Sequence, residues 1–458
     1  MTPSSAAKLE SPPSDRQGGS DAARFRRWLA AALALSALAA ALWTAAHHQR
    51  VPGLVQFDAV GYWRAAENLR LHGVFSEIPP PDLLPSSMRT PGYPAVLALA
   101  FALFGSDPFV AVGLNALLAL GAGLFAGLAA RELGAGPRRA AVAAAFVAAH
   151  PLTLQWVLYV YTDVLFLCGV CAALWLGFRA GLGGRTGRGP LLMGCAVAGL
   201  LPLVRPVGLY LLPLAGLAVA GIAWRGRLSP RWAAAALLVL ALPALAWTAR
   251  NRVVLGSFHF CEIGAWNLRF EHANRVRAEA EGVDFWTVYI AEFKEHYHLI
   301  SRPSREAPPG PLADRWTSEA LGIFAGHPAA TLRVTLRSLA ALYAPALRDY
   351  GPWVGAAYPG TGAMLSGGGA LDRAAWKGLL LGLAEQALLF AVLWLAIARG
   401  WRALGERDAR LLLPLAAAGL LTGLSLWAGG NTGPRFRLPI WPLLVVVALA
   451  PAAPRRAP

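Results

Sequence analysis

Long apolar runs separated by short polar stretches dominate the chain from residue 28 onward. A helix needs about 20 apolar residues to cross roughly 30 Å of hydrocarbon, and most of these runs approach that length. The pattern predicts ten transmembrane helices, at 28–46, 107–130, 138–150, 155–180, 190–204, 206–224, 232–249, 377–398, 411–429 and 438–453. We therefore expect an all-α polytopic membrane protein, a bundle of about ten or more transmembrane helices with amphipathic helices in its outer loops.

Residues 93–104 form a further apolar stretch. Counting it as a crossing would move every later arginine-rich loop to the opposite side of the membrane, against the usual excess of basic residues in cytoplasmic loops. We interpret 93–104 as an interfacial or re-entrant helix.

Polar intervals divide the chain into four parts. The tail is rich in Ser, Pro, Asp and Gly, a composition typical of disorder, and residues 332–342 of the third part have amphipathic helical spacing. The predicted parts are a disordered cytoplasmic tail (1–23), an N-terminal transmembrane module (24–249) that contains a first loop (47–106), a middle segment facing outward with interfacial helices (250–376), and C-terminal transmembrane helices (377–458).

The arginines set the expected orientation. Arg24-Phe25-Arg26-Arg27 precedes the first apolar run, which predicts a cytoplasmic N-terminus and an uncleaved first helix. If the ten helices cross the membrane in alternating directions, five basic loops lie on the cytoplasmic side. These loops begin at Arg131, Arg179, Arg225, Arg399 and Arg455. The C-terminus is then cytoplasmic as well.

Composition excludes a soluble protein, since 56% of the residues are hydrophobic and only 14% are charged. The net charge of +16 is explained by the arginine-rich loops, so we expect the lipid bilayer as a partner and no nucleic acid.

The first loop carries the leading candidate for catalysis. Asp58 follows the first apolar run, in the sequence Phe57-Asp58-Ala59-Val60-Gly61-Tyr62-Trp63. A carboxylate fixed beside the membrane can serve as a general base. The alternative for Asp58 is an N-cap of the helix that begins near Val60.

Several arginines fall on the outer side of this topology, against the general bias. They are Arg89, Arg205, Arg250, Arg252, Arg435 and Arg437. One guanidinium group can donate two parallel hydrogen bonds to two oxygens of a phosphate. These arginines are therefore candidates for a phosphate site. The alternative for Arg205 and Arg435 is that they anchor helix ends at lipid phosphates.

Six short motifs follow one another along the chain. They are Asp58 with the amphipathic segment 62–73, Arg89-Thr90-Pro91-Gly92-Tyr93-Pro94, Tyr161-Thr162-Asp163, Arg205-Pro206-Val207-Gly208, Trp247-Thr248-Ala249-Arg250-Asn251 and Arg435-Phe436-Arg437-Leu438-Pro439-Ile440. In this order they resemble the motifs of GT-C superfamily glycosyltransferases, in particular the protein O-mannosyltransferase and aminoarabinose-transferase branch. A single Asp58 stands where the mannosyltransferases carry Asp-Glu.

The resemblance implies transfer of a hexose or pentose from a polyprenyl-phosphate donor to an acceptor hydroxyl, with inversion, at the outer face of the bacterial plasma membrane. It implies catalytic roles for Asp58, as base, and Asp163, which would orient the acceptor or only cap its helix. The donor phosphate would be bound by Arg89, Arg205, Arg252 and Arg435, and the substrates also by Tyr62, Tyr93 and Arg437. The resemblance leaves the acceptor open among a protein, a lipid and a polysaccharide.

No cofactor is expected. The chain has no HExxH motif, no clustered carboxylates and no glycine-rich nucleotide loop, so a divalent cation is left open but is not indicated. A lipid or glycolipid transporter without transferase activity is the alternative function, although it should show inverted repeats and charges near the bilayer midplane.

Overall fold

The computed structural model describes residues 15–55, 58–182, 187–301, 309–344, 373–406, 408–427 and 433–451. All regular structure in these ranges is helical, and no strand occurs among them. The α-helices are α1 (Asp15–His47), α2 (Asp58–His72), α3 (Gly92–Phe104), α4 (Pro108–Glu132), α5 (Pro137–Ala149), α6 (Pro151–Val157), α7 (Asp163–Gly177), α8 (Arg188–Val204), α9 (Leu212–Trp224), α10 (Pro230–Leu255), α11 (Ile263–Trp266), α12 (Asn274–Glu281), α13 (Phe285–Ser301), α14 (Pro309–Gly326), α15 (Pro328–Leu342), α16 (Arg373–Glu406), α17 (Ala409–Trp427) and α18 (Trp441–Leu449).

Seven segments of the described chain are long and apolar enough to cross a membrane. They are Ser20–Leu54, Pro108–Glu132, Asp163–Gly181, Pro206–Trp224, Pro230–Leu255, Gly382–Glu406 and Ala409–Trp427. The pair α5 and α6, bent by 43°, would make an eighth. The predicted all-α polytopic fold is confirmed, but the predicted crossings at 190–204 and 438–453 correspond to the shorter helices α8 and α18, of 17 and 9 residues.

The N-terminal prediction needs a correction. Helix α1 begins at Asp15, so residues 15–23 of the predicted disordered tail are helical. The Ser and Gly residues there did not prevent the helix from starting ahead of its apolar part. Residues 1–14 of the tail, and residues 452–458 at the other end, lie outside the described residues.

Small residues bring the central helices together. Helix α4 starts with Pro108, and Asp107 is its N-cap. The Asp107 carboxylate accepts a hydrogen bond of 2.7 Å from the Phe109 backbone amide. Farther along, a Cβ atom added at Gly123 would lie 2.7 Å from the carbonyl oxygen of Ala144 on α5. Glycine at this position lets the backbones of α4 and α5 approach closely, as in other membrane helix pairs.

The predicted crossing at 155–180 corresponds to the candidate span Asp163–Gly181, but it starts later than predicted because the chain breaks between α6 and α7. The break is stabilised by Asn115 of α4, whose buried amide donates to the carbonyl oxygens of Val157 (3.3 Å) and Tyr159 (2.7 Å). These bonds satisfy backbone groups that the interrupted helix leaves without partners. The break places Tyr161 in a turn and Asp163 at the first position of α7.

The stretch predicted to be interfacial or re-entrant forms α3, which has 13 residues and a length of roughly 20 Å, too short to cross the hydrocarbon. Helix α3 docks against the end of α8. Thr90 donates to the carbonyl oxygen of Val204 at 3.2 Å, and a Cβ at Gly92 would lie 2.6 Å from the Leu203 carbonyl oxygen.

In the described part of the middle segment, α12, α13 and α14 meet around the buried cation of Arg269. Arg269 bonds Glu292 at 2.7 Å, Glu319 at 2.9 Å and Asn274 at 2.9 Å, which joins four parts of the segment. The predicted amphipathic helix 332–342 is contained in α15, which buries Ala330, Val334, Ser338 and Leu342. Residues 302–308 and 345–372 of the middle segment lie outside the described residues.

Candidate active site

Asp58 is the first residue of α2 and pairs with Arg89 of the first loop. Its Oδ1 accepts a hydrogen bond of 2.6 Å from Arg89 Nη2, and the side chain of Asp58 is 53% exposed. The guanidinium of Arg89 also bonds Glu77 through Nη1. Burial alone would lower the pKa of Arg89, but the carboxylates of Glu77 and Asp58 outweigh it and raise that pKa, so Arg89 stays charged.

Gly61, one turn beyond Asp58 on α2, makes room for this ion-pair cluster. A Cβ atom at position 61 would lie 2.6 Å from Arg89 Nη1 and 2.8 Å from Glu77 Oε2. No side chain fits there while Arg89 keeps its position. Sterics therefore explain why a glycine occupies this position of the Asp58-Ala59-Val60-Gly61-Tyr62 motif.

A second cluster forms around Asp163 at the start of α7. Its side chain is fully buried, and its Oδ1 accepts hydrogen bonds from Arg205 Nη1 and, at 3.1 Å, from Arg435 Nε. The other carboxylate oxygen, Oδ2, is buried and has no hydrogen-bond partner among the described residues. Asp163 was expected to orient the acceptor or to cap its helix, and in the structure its carboxylate binds two arginines.

Aromatic rings surround these two arginines. The guanidinium carbon of Arg435 lies 4.6 Å from the ring centre of Trp156 and 4.5 Å from that of Tyr161. Arg205 lies 5.5 Å from the ring centre of Phe436. The bonds to Asp163 use one nitrogen of each guanidinium, and the remaining nitrogens of Arg205 and Arg435 donate to no group in the described chain.

Tyrosines join the two clusters. The ring of Tyr62 lies 6.1 Å from that of Tyr161, and the guanidinium of Arg89 lies 5.2 Å from the Tyr62 ring centre. Burial raises the pKa of Tyr62 and of Tyr161, so both phenols stay protonated and can donate hydrogen bonds. Tyr93 is buried behind Tyr62, with its hydroxyl 3.3 Å from Asn115, and so supports the site rather than lining its surface.

The Trp-x-x-Arg-Asn motif at the end of α10 fixes the first loop. Arg250 donates to the Ser86 carbonyl oxygen at 2.9 Å, and Asn251 binds the carbonyl oxygens of His259 and Phe260 at 3.0 Å. The buried carboxylate of Glu262 then accepts a bond of 2.6 Å from the Ser87 hydroxyl.

Glu77 and Glu262 are functional candidates that the sequence reasoning missed. Both lie in irregular segments with no periodic pattern, and their partners are distant in sequence. A carboxylate close to the Arg89-Thr90-Pro91-Gly92 motif was the only signal for Glu77, and Glu262 had none.

Two predicted site residues lie outside both clusters. Arg252 donates to the Gly256 carbonyl oxygen at 2.7 Å and caps the exposed end of α10. Arg437 is fully buried and binds Glu385 of α16 at 2.6 Å and the carbonyl oxygens of Leu342 and Ala344. The contacts of Arg437 join the turn before α18 to α16 and to the end of α15, whereas the contact of Arg252 stays within the end of α10. Arg252 as a phosphate contact and Arg437 as a substrate contact stay predictions.

The described residues contain no group of three or more His, Cys, Asp or Glu side chains placed to hold a metal ion. The arrangement presents one accessible carboxylate, three arginines and two phenols around a common region. Such a set can accept a proton at one point and stabilise an anion beside it.

Residues 88–247 match the family model described as dolichyl-phosphate-mannose-protein mannosyltransferase. The match contains Arg89, Asp163 and Arg205, but not Asp58 or Arg435. It confirms, over these residues, the resemblance to the GT-C superfamily inferred from the motifs.

The fold is also similar to crystal structures of the oligosaccharyltransferase from Archaeoglobus fulgidus. The apo form is 15% identical, with 92% of this chain and 50% of that chain covered and a TM-score of 0.46. The form tethered through a disulfide to an acceptor peptide with the NVT sequon is 16% identical, with 92% and 49% covered and a TM-score of 0.44. The chain spans about half the length of these solved structures. No curated protein sequence matches it.

Proposed function

We propose, starting from the family match over residues 88–247, that this chain is an inverting glycosyltransferase of the GT-C type. It transfers a hexose or pentose from a polyprenyl-phosphate donor to a hydroxyl of a protein, lipid or polysaccharide. The family match supports this donor class, because the matching family is that of dolichyl-phosphate-mannose-protein mannosyltransferases.

The observation that carries the proposal is the meeting of three distant arginines beside one accessible carboxylate. Arg89, Arg205 and Arg435 come from the first loop, the end of α8 and the turn before α18, and two of them retain unused N–H donors within the described structure. Arginine suits phosphate because its planar guanidinium offers paired donors to two oxygens. Three such groups can bind a sugar phosphate and stabilise its leaving phosphate.

In the proposed reaction, the acceptor hydroxyl gives its proton to Asp58 while its oxygen attacks the anomeric carbon of the donor. The bond from that carbon to the phosphate oxygen breaks, and the phosphate leaves with the electron pair. Arg89, Arg205 and Arg435 stabilise the negative charge on the leaving group, so no acid has to protonate it. Because attack comes from the side opposite the phosphate, the configuration at the anomeric carbon is inverted.

The carboxylates have different tasks in this scheme. Asp58 is half exposed, and its Oδ2 accepts no bond from the described residues, so an acceptor can reach it. Asp163 is buried and positions Arg205 and Arg435. Tyr62 and Tyr161 lie between them and can donate hydrogen bonds to the sugar.

We place this site at the outer face of the bacterial plasma membrane, with both termini in the cytoplasm. The arginine distribution supports that orientation, since the basic loops gather on the other side. In this arrangement the first loop (47–106) contributes the base, and the middle segment (250–376) covers the site and excludes water.

The test is release of polyprenyl phosphate from labelled polyprenyl-phosphate sugars by the purified protein in lipid nanodiscs, with a membrane extract as acceptor. The wild type should turn over, and Asp58→Asn should fall by about 10² to 10⁴-fold, the usual contribution of a general base. Glu67→Gln, on the same helix, should leave the rate unchanged. Equal rates for Asp58→Asn and the wild type would remove Asp58 from the mechanism, and no turnover with any donor would reject the transferase.

A further inference from the structure

Glu77 lies in an irregular part of the first loop and has no step in the proposed reaction, yet the fold fixes its position. The buried amide of Asn68 on α2 donates to the carbonyl oxygens of Ser76, at 2.8 Å, and Ile78, at 2.9 Å. These two residues are the chain neighbours of Glu77. Helix α2, which begins with Asp58, therefore also holds the backbone on both sides of Glu77.

The carboxylate of Glu77 is oriented as well as its backbone. Its Oε1 accepts a hydrogen bond of 3.1 Å from the Ser86 hydroxyl, and the carbonyl oxygen of Ser86 accepts one of 2.9 Å from Arg250 at the end of α10. Oε2 of Glu77 accepts a hydrogen bond from Nη1 of Arg89, and the side chains of Glu77 and Arg89 are both only 15% exposed. Contacts from α2 and α10 thus present this oxygen to Arg89.

Arg89 lies between two carboxylates that compete for one positive charge. Its Nη1 donates to Glu77, and its Nη2 donates to Asp58 at 2.6 Å. A cation that pairs with a single carboxylate strongly favours the ionised form and makes that carboxylate a poorer proton acceptor. The negative charge of Glu77 therefore weakens the effect of Arg89 on Asp58, while the two hydrogen bonds keep Arg89 in place.

Other charged or titratable groups also interact electrostatically with Asp58. Arg89 is the cation that donates a hydrogen bond to it among the described residues. The groups from α2, from the turns beside α7 and α18, and from the middle segment are Tyr62, Tyr161, Arg435, Glu271 and Tyr289. A substitution at Glu77 leaves all of these in the chain, so a comparison with the wild type isolates the effect of that one carboxylate.

We propose that Glu77 is a positioning residue for the base: it holds Arg89 against Asp58 and shares the positive charge of Arg89, so that Asp58 stays available to accept the proton of the acceptor hydroxyl. The proposal rests on the proposed transferase function for the word base, but the effect of Glu77 on the protonation of Asp58 does not require transfer. Glu77 acts through Arg89 and takes no proton itself.

The test is pH-difference infrared spectroscopy of the full-length protein in lipid nanodiscs, with isotope-labelled aspartate. The carboxyl band that disappears in Asp58→Asn belongs to Asp58, and its intensity against pH gives the midpoint of protonation. Glu77→Gln removes the charge and keeps an acceptor oxygen for Ser86. The midpoint should fall by about 0.5 pH unit, less than for charges in a dry site, because Asp58 is half exposed and the solvent screens it.

Asp82→Asn is the matched control. Asp82 is exposed in the same first loop, and its replacement changes the net charge by the same amount, but the ion pairs of Arg89 go to Asp58 and Glu77. This variant should titrate like the wild type. Glu77→Asp keeps the charge at a greater distance from Arg89, so it should give a smaller fall, and it carries the test if Glu77→Gln does not fold.

Sugar transfer by the same variants gives a second measurement, which a purely structural role of Glu77 would not change in the same way. The acid side of the pH–rate profile should shift to lower pH in Glu77→Gln by the same amount as the infrared midpoint. The highest rate should fall by about twofold, since Asp58 becomes a weaker base. A lower rate with an unmoved profile would mean that Glu77 only supports the loop.

Equal midpoints for the wild type and the Glu77 variants, or an equal fall in Asp82→Asn, would overturn the proposal even where the wild type transfers sugar and Asp58→Asn does not. A fall in the midpoint of Glu77→Gln, beside a wild type that turns over no donor, would reject the transferase. The relation of Glu77 to Asp58 would then still stand.

Discussion

Arg435 Nε lies 3.1 Å from Asp163 Oδ1, although 272 positions separate the two residues in the chain. This contact joins the start of α7 to the turn before α18. It also places a guanidinium between the rings of Trp156 and Tyr161. The pair thus links the fold of the membrane module to the proposed phosphate site.

Replacing Arg435 by lysine should weaken donor binding more than it weakens the fold. An ammonium keeps the charge but has no planar face for the rings and no paired donors for phosphate. We expect the KM for the donor to rise by about tenfold, equivalent to about 1.4 kcal/mol. Arg435→Gln should in addition lower the free energy of unfolding by about 3 kcal/mol, because a buried Asp163 loses one of its two cations.

Donor titrations and denaturant unfolding in detergent micelles measure these two effects. Arg252→Gln is the control, since Arg252 is exposed and lies outside both clusters. A lysine variant with the wild-type KM would show that Arg435 only supports the structure.

Gly61→Ala should displace Arg89, because the added methyl would lie 2.6 Å from its Nη1. Overpacking of this kind costs about 1–3 kcal/mol, and here it falls on the partner of the proposed base. Transfer should drop by about tenfold or more. Gly322→Ala, in α14 with open space around the Cβ position, should keep full activity. Normal transfer by Gly61→Ala would mean that the position of Arg89 does not matter for the reaction.

The sequence predicted those features of the fold that follow from periodicity and from short motifs. Apolar run lengths gave most of the long membrane helices, and the interval from Arg89 to Tyr93 identified a turn into a short helix. Asp58, Arg89, Arg205 and Arg435 were all chosen from local motifs, and the structure brings all four to one region. Tyr62, chosen in the same way, also lies there.

The errors share one physical cause, which is that local pattern carries no information on long-range partners. The break at residues 158–162 depends on Asn115 of another helix. The apolar run by itself therefore predicted one continuous helix. Arg437 belongs to the same motif as Arg435 but turns into the core to meet Glu385, 52 positions away. Glu262 contacts the first loop through Ser87, 175 positions away.

Glu262 should act as a positioning residue for the first loop, through its 2.6 Å bond from Ser87. Glu262→Ala leaves the buried hydroxyl of Ser87 without this partner and should lower the free energy of unfolding by about 1–3 kcal/mol. Glu262→Gln retains an acceptor oxygen and should lose less. In a double-mutant cycle, Ser87→Ala and Glu262→Ala should be non-additive by about 0.5 kcal/mol or more. Additive effects would show that the two side chains do not stabilise each other.

His272 should make the protein sensitive to acid. It is fully buried between the rings of Phe324 and Trp427, and neither ring nitrogen has a hydrogen-bond partner among the described residues. Burial, with a smaller effect from Arg275, lowers the pKa of His272 from 6.5 to about 4. The unfolded chain therefore takes up this proton first as the pH falls below 6.5, and the folded state is destabilised down to about pH 4.

The loss over that interval should be about 3 kcal/mol from this group. His272→Phe keeps an aromatic ring in the same place and removes the titrating group. Its free energy of unfolding should fall less steeply between pH 6.5 and 4 than that of the wild type, whereas His327→Phe, at an exposed position, should follow the wild-type curve. Parallel curves for His272→Phe and the wild type would mean that His272 can accept a proton without leaving its buried position.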